Sequence, residues 1–310
     1  MDKIVVICGP TAVGKTEFAI ETALDIDGEI VSCDSMQLYK YMDIGSAKPT
    51  AEEQAKVTHY LVDEIDPAES FSVVKYQAMA KSAISEIIAK GKIPVIAGGT
   101  GLYLNSLLYD MDFSTPPRND DYRESLFREA EEKGPLTVYN RLVERDPEAA
   151  SRIHPNNVKK VVRALEAAEY GSGVRDFATG PVPTEDYESI LIGLARNREE
   201  LYDRINRRVD ILIDEGLVNE VRSLMEMGLN GDDISMKGIG YKEIIGYLKG
   251  EYDMDEAVRL IKRNTRHLAK RQMTWFRRYK DMKWFNISDY ENEEECLGDI
   301  LIWLKNRIKP

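Results

Sequence analysis

The sequence predicts an α/β protein, a P-loop NTPase-like parallel sheet with flanking helices that also carries a helical insertion domain. Three observations predict it. Apolar runs at Ile4–Ile7, Glu29–Cys33 and Ile93–Ala97 end in glycine-rich or polar loops, and helical patterns alternate with them. Such alternation builds a parallel sheet with helices on both faces. The motif G-x-x-x-x-G-K-T, Gly9 to Thr16, lies between the first apolar run and the first helical pattern, in the order it requires. From Asn119 to about Gly171 only helical patterns occur, interrupted at Gly134-Pro135, Asp146-Pro147 and His154-Pro155.

Taken in order, the first strand runs into the glycine loop, and Lys15–Asp25 follows as a helix with Phe18, Ala19, Thr22 and Ala23 on one side. The second strand, Glu29–Cys33, stops at Asp34-Ser35, and a polar loop continues to Pro49. Thr50-x-x-Glu53 is a capping box for a short helix. His59–Val62 reads as a strand and Asp63–Ser70 as a loop. Ser72 caps a helix that Gly91 stops. Ile93–Ala97 ends in Gly98-Gly99-Thr100-Gly101. Composition shifts at Pro116-Pro117, which places a helical insertion at residues 116–182, within a core of residues 1–115 and 183–310. Gly171–Pro183 reads as a loop, and Glu188–Leu194 returns to the sheet. Helices follow at Arg198–Glu215, Leu217–Met227, Tyr241–Lys249 and about Met254–Tyr279, with a last strand at Lys283–Ile287.

Length and composition bound the function. A chain of 310 residues buries a large core and fits about two domains. No apolar stretch is long enough to span a membrane, and the N-terminus enters the first strand directly, so a cytoplasmic protein is expected. Cys8, Cys33 and Cys296 have no paired spacing, and His59, His154 and His267 have no metal-ligand spacing. The net charge of −12 argues against a nucleic-acid partner, but its distribution does not. Between Arg259 and Lys283 there are ten Lys/Arg and one acid, whereas Asp289 to Asp299 holds six acids and no base. A second basic cluster is formed by Arg152, Lys159, Lys160 and Arg163. On the long helix Arg259, Arg263, Arg266 and Lys270 form a stripe suited to tracking phosphates. Ala257, Ile261, Leu268 and Trp275 mark its apolar side, expected to be core.

The chemistry starts at the glycine loop. Its backbone N–H groups face one centre, the following helix adds unpaired N–H groups and its positive dipole end, and Lys15 supplies a point charge. The Thr16 hydroxyl suits a magnesium ion. The loop therefore fits a di- or triphosphate. Asp34, at a strand's carboxyl end beside it, either caps a turn or takes a proton from a nucleophile or holds metal. The strand Ile93–Ala97 ends in Gly-Gly-Thr, where an ATPase carries an acidic metal-holding residue, and this weakens the case for ATP hydrolysis.

The chain resembles the bacterial tRNA dimethylallyltransferases. The matching segments are GPTAVGKT (9–16), DSMQLYKYMDIGSAKP (34–49), HYLVDEIDP (59–67), AGGTGLY (97–103), RIHPNN (152–157), RALE (163–166), GYKE (240–243) and RQMTWFR (271–277), in one order over nearly the whole chain. The segment YGSGVRDFATG (170–180) departs from the family's pattern, and nothing is carried over for it. The resemblance implies transfer of a dimethylallyl group from its diphosphate to N6 of adenosine 37 in tRNAs that read codons beginning with U. It implies that Gly9, Pro10, Thr11, Ala12, Val13, Gly14, Lys15 and Thr16 hold the diphosphate, with Mg²⁺ near Thr16. Asp34 would be the general base, Gln37 would hydrogen-bond the adenine, and Thr100 and Arg123 would stabilise the leaving diphosphate. Asp34, Ser35, Met36 and Gln37 would meet the tRNA, as would Lys159, Lys160, Arg163, Lys237, Lys242, Arg263, Arg266 and Lys270. The target base must leave its stack to reach the site.

The loop and Asp34 alone also allow a P-loop nucleoside or nucleotide kinase, for which the basic carboxyl-terminal half is superfluous. A nucleotide-dependent RNA-binding module would make Asp34 dispensable. Prenylation of free AMP would leave the basic helices without a purpose. The expected partners are tRNA and dimethylallyl diphosphate, with no membrane, and the expected state is a monomer.

Overall fold

The computed structural model describes residues 1–111, 119–170 and 182–308. The chain forms two compact units, one of Met1–Tyr109 with Thr184–Pro310 and the other of Asp110–Pro183. The expected boundary at Pro116-Pro117 and most of the expected loop at Gly171–Pro183, including residues 171–180 of the divergent segment, lie outside the described residues.

In the first unit six strands make one parallel sheet: β1 (Lys3–Cys8), β2 (Gly28–Cys33), β3 (His59–Tyr60), β4 (Ile93–Gly98), β5 (Glu188–Ala195) and β6 (Lys283–Asn286), in spatial order β3-β2-β4-β1-β5-β6. β1 lies between β4 and β5, and Ile4 to Cys8 are all buried, which explains why the strand reads as a continuous apolar run without alternation. β2 and β4 approach so closely at their carboxyl ends that a Cβ on Gly98 would stand 2.1 Å from the Cys33 carbonyl oxygen. Only glycine fits there, and the loops after both strands start side by side.

The helices of this unit are α1 (Lys15–Asp25), α2 (Ala51–Lys56), α3 (Val73–Ala89) and α4 (Gly101–Leu108) in its first part. Thr50 and Glu53 close the expected capping box on α2, at 3.2 and 2.7 Å, and Ser72 caps α3. Helix α4 was not anticipated. Its residues GLYLNSLL contain six buried positions and no charge, so it has no amphipathic period to read.

The second unit holds α5 (Asp120–Lys133), α6 (Pro135–Arg145), α7 (Pro147–Arg152) and α8 (Val158–Tyr170), broken where the Gly-Pro, Asp-Pro and His-Pro pairs stand. Leu126, Val138, Leu142, Val161, Val162 and Leu165 are buried in its own core. Pro135 and Pro147 occupy first-turn positions, where a missing N–H costs nothing.

Back in the first unit follow α9 (Arg198–Asp214), α10 (Leu217–Glu226), α11 (Tyr241–Leu248), α12 (Met254–Phe276) and α13 (Glu293–Ile308). Helix α13 was also not anticipated, because the acidic run Asp289–Asp299 hides its start. Cys296, Ile300 and Leu304 recur at the helical period and are buried beneath that charge.

Along α12, Ala257 and Ile261 are core as expected, but Leu268 and Trp275 are half-buried and line a cavity. The basic stripe is also less uniform than its spacing implies. Arg259 is ion-paired with Glu256, and Arg266 donates to Asn206 Oδ1 at 2.6 Å, while Arg263 and Lys270 are exposed. No helix among the described residues is long and apolar enough to cross a membrane.

Candidate active site

The glycine loop leaves β1 at Gly9 and enters α1 at Gly14, whose φ of 112° belongs to the left-handed region that favours glycine. No side chain caps this helix, so its first N–H groups remain directed at the loop's centre. Lys15 Nζ donates to the Pro10 carbonyl at 2.9 Å. Burial lowers the Lys15 pKa to about 8, opposed by the nearby Asp34 carboxylate, while Arg208 adds to the lowering. An anion at the loop would restore the charge.

Two cavities meet at this loop. The larger, about 700 Å³, is lined by Thr11, Gly14, Lys15 and Thr16 and by Ile30, Ser32, Gln37 and His59. The second, about 460 Å³, is lined by Gly99, Thr100 and Gly101, by Leu268, Arg271, Gln272 and Trp275 of α12, and by Ile239 and Gly240. Thr11, Asp34, Ser46, Ala47, Arg208 and Leu212 line both. Asp34 therefore stands where a ligand on the phosphate loop and one entering from the α12 side would meet.

The neighbours of Asp34 fix its geometry. Its Oδ1 accepts the Met36 N–H at 2.9 Å, an aspartate turn that holds the carboxylate at the end of β2. Thr100 Oγ1 accepts the Ser35 N–H at 3.0 Å, and Thr100 N–H donates to the Cys33 carbonyl at 3.0 Å. Thr100 thus ties the β4–α4 turn to the Asp34 loop. Gln37, expected to face an adenine, lines the larger cavity and has both ends of its amide engaged: Oε1 accepts from Ser32 Oγ at 3.0 Å, and Nε2 donates to the Ala47 carbonyl at 3.2 Å. A base contact there would have to replace one of these bonds.

The loop that carries Ser46 and Ala47 is held from outside. Glu220 of α10 accepts the N–H groups of Asp43, Ile44 and Gly45 at 2.8, 2.7 and 3.0 Å, and the Tyr241 hydroxyl donates to it at 2.8 Å. A Cβ on Gly45 would come within 2.5 Å of the buried Tyr241 ring. This close approach positions the wall shared by the two cavities.

Several residues here carry no sequence signal of their own. Arg208 projects from α9 into both cavities, its pKa lowered by burial and supported by Asp34. In the sequence it is one of several arginines on an amphipathic helix. Gln272 and Trp275 fall within RQMTWFR, but only the packing of α12 brings them beside Gly99 and Gly101. A third cavity, about 450 Å³, gathers Ser35, Met36, Tyr39, Phe71 and Tyr103 with Lys237, Lys242, His267 and Arg271. Two lysines expected to meet RNA thus border an aromatic-lined recess beside the Asp34 loop.

Other expected site residues lie elsewhere. Arg123 belongs to the helical unit, where its Nε donates to Glu166 at 2.8 Å. Lys159, Lys160 and Arg163 are exposed on α8, opposite its buried Val161, Val162 and Leu165. Among the described residues no three His, Cys, Asp or Glu side chains group to hold a metal. A magnesium ion at Thr16 would then draw its remaining ligands from phosphate oxygens and water, the donor set that this ion favours.

Comparison with known proteins shows the family. A family model described as IPP transferase matches residues 37–279. The tRNA dimethylallyltransferase of Alkaliphilus oremlandii is 52% identical over 299 residues, covering 95% of this chain and 96% of the relative. That of Clostridioides difficile is 51% identical over 306 residues, covering 99% and 98%. Among solved structures, the full-length tRNA isopentenylpyrophosphate transferase of Bacillus halodurans is similar with a TM-score of 0.75 and 41% identity, over 99% of this chain and 97% of the other. A eukaryotic dimethylallyltransferase captured acting on tRNA gives 0.83 and 26%, over 99% and 79%. The chain belongs to the IPP transferase family.

Proposed function

We propose that the protein transfers a dimethylallyl group from dimethylallyl diphosphate to N6 of adenosine 37 in tRNAs reading UNN codons, releasing diphosphate. The observation that carries this reading is the place of Asp34, which lines both the cavity on the phosphate loop and the cavity beside α12. Nothing found favours the phosphoryl-transfer alternative.

In this scheme the loop from Gly9 to Thr16 binds the diphosphate through its N–H groups and Lys15, and Arg208 faces the same charge from α9. The Thr16 hydroxyl would hold a magnesium ion together with the diphosphate, and such an ion would supply charge neutralisation there. The adenine enters from the side of Trp275 and Arg271, out of its stack. Asp34 accepts the N6 proton as the N6–C1 bond forms. The C1–O bond breaks with its electron pair going to the diphosphate. An exocyclic amine is a weak nucleophile, so the two cavities contribute by holding nitrogen and allylic carbon together. Thr100 keeps the Asp34 loop aligned and faces the leaving group. Lys237, Lys242, Arg263, Lys270 and Arg271 in the core, and Lys159, Lys160 and Arg163 on the helical unit, grip the anticodon stem-loop backbone. Arg266 joins them on exchanging its bond to Asn206. The proposed working state is a monomer.

The test is incubation with labelled dimethylallyl diphosphate, Mg²⁺ and unmodified tRNA, followed by digestion to nucleosides. N6-(dimethylallyl)adenosine is the expected product. No label in RNA, together with phosphate transfer from ATP to a nucleoside, would overturn the reading.

A further inference from the structure

We propose that Arg196 and Arg204 are positioning residues for the phosphate loop, and that Glu293, at the start of α13, sets them both. The proposal rests on diphosphate binding at this loop, as above. Arg204 Nε donates to the Ala12 carbonyl at 3.0 Å, and Arg196 Nε donates to the Val13 carbonyl at 3.0 Å. In a trans peptide the C=O and the next N–H point in opposite directions. Pinning these two successive carbonyls from behind therefore turns the N–H groups of Val13 and Gly14 away from the arginines. The Val13 N–H accordingly points across the loop to the Pro10 carbonyl at 3.4 Å, the same oxygen that accepts from Lys15.

The loop needs such support. Ala12 has a φ of 63°, a left-handed conformation for a residue with a Cβ. Residues of this kind persist only where their surroundings hold them. A guanidinium on a carbonyl also polarises that peptide and makes its N–H a stronger donor to an anion.

The clamp is itself held. Glu293 accepts from Arg196 and, at 3.3 Å, from Arg204, while Glu200 takes another Arg196 nitrogen and a hydrogen bond from Ser288. The Arg196 side chain is only 5% exposed. Each arginine uses Nε on the loop and its terminal nitrogens on carboxylate, a division that a lysine cannot reproduce. The carboxyl-terminal helix, whose acidic start reads as a solvated surface, thus reaches the diphosphate site through two side chains.

The test uses the full chain with Arg204→Ala, Arg204→Lys and Glu293→Gln, leaving the more buried Arg196 intact. Inorganic diphosphate with Mg²⁺ is titrated calorimetrically, which reads the loop whether or not tRNA is prenylated. The expected result is a loss of diphosphate affinity of about tenfold in both Arg204 variants, the size of one lost hydrogen bond. Glu293→Gln should lose less, and tRNA affinity and melting temperature should hold. Hydrogen exchange of the peptide 9–18 should quicken. Wild-type diphosphate affinity in Arg204→Ala would overturn the proposal, as would full rescue by lysine, which would leave charge alone as the cause. A joint fall of diphosphate affinity, tRNA affinity and melting temperature would also overturn it, by making the role structural. A wild-type protein that binds no diphosphate would instead refute the site itself, and the proposal with it.

Discussion

The side-chain oxygen of Gln272 accepts the backbone N–H of Thr11 at 2.8 Å, and its Nε2 donates to the Gly99 carbonyl at 3.0 Å. One amide from the long basic helix therefore joins the phosphate loop to the turn that carries Thr100. Replacing Gln272 by alanine leaves two polar backbone groups without partners, worth on the order of 1–3 kcal/mol. The specificity constant for the prenyl diphosphate, kcat/KM, should fall about 5- to 150-fold by the same energy. Steady-state kinetics with the donor varied and tRNA saturating checks this.

Asp34→Asn keeps an oxygen for the Met36 N–H and so preserves the turn, but removes the proton acceptor. Single-turnover prenylation should slow about 10²- to 10⁴-fold, the usual contribution of a general base. Filter binding should find tRNA affinity within about twofold of wild type, because the fold of the loop is unchanged.

Lys15 titrates near 8 in the folded protein, below its ordinary value, chiefly because it is buried. Below that pH the ammonium is present to meet a diphosphate, and above it the group is neutral. Donor affinity should therefore weaken as pH rises past about 8, and binding near pH 8–9 should take up part of a proton. Calorimetry in buffers of different ionisation enthalpy detects the uptake. Stability moves the other way. The unfolded chain holds this proton to higher pH, so the burial cost of the charge is present below the folded pKa and is relieved as pH rises from about 8 towards the ordinary lysine value of 10.5.

Glu220 binds three successive N–H groups and the Tyr241 hydroxyl, and so anchors the wall between the two cavities. Glu220→Ala strips four donors of one acceptor and should lower stability by about 2–4 kcal/mol. Urea denaturation gives the value. Donor KM should rise with it, since Ser46 and Ala47 line both cavities.

Lys237, Lys242 and Arg271 border one recess beside the Asp34 loop. Despite the net charge of −12, tRNA affinity should fall steeply with salt. Replacing Lys237 and Lys242 by alanine should flatten the slope of log K against log salt by about 0.7–0.9 for each phosphate contact removed. A salt titration of both proteins compares the slopes.

The elements with a local cause were legible in the chain. α1 and α2 start where a glycine loop and a capping box place them, and the Pro-containing pairs divide the helical unit as expected. α4 and α13 were not, because one is uncharged and buried at six of its positions, leaving no amphipathic period, and the other opens under a run of acids. Half of the site was legible in the same sense. Gly9–Thr16, Asp34 and Thr100 lie at the carboxyl ends of strands, where a parallel sheet gathers its ligand residues. The placement of Arg208, Gln272 and Trp275 at the site was not readable, since each is an ordinary member of a helical pattern.

The strands, the phosphate loop that follows the first of them and the basic helices are legible locally, because strand runs, glycine turns and caps are encoded within a few residues. The sequence also carried the resemblance to the prenyltransferases. Tertiary structure alone decided that Asp34 stands between two cavities, that α12 reaches Thr11 through Gln272, and that α13 reaches the loop through Arg196 and Arg204. Those contacts join residues from 89 to 261 positions apart, and no local pattern records which face of one helix will meet which carbonyl of a distant loop. That is settled only when the helices pack on the sheet.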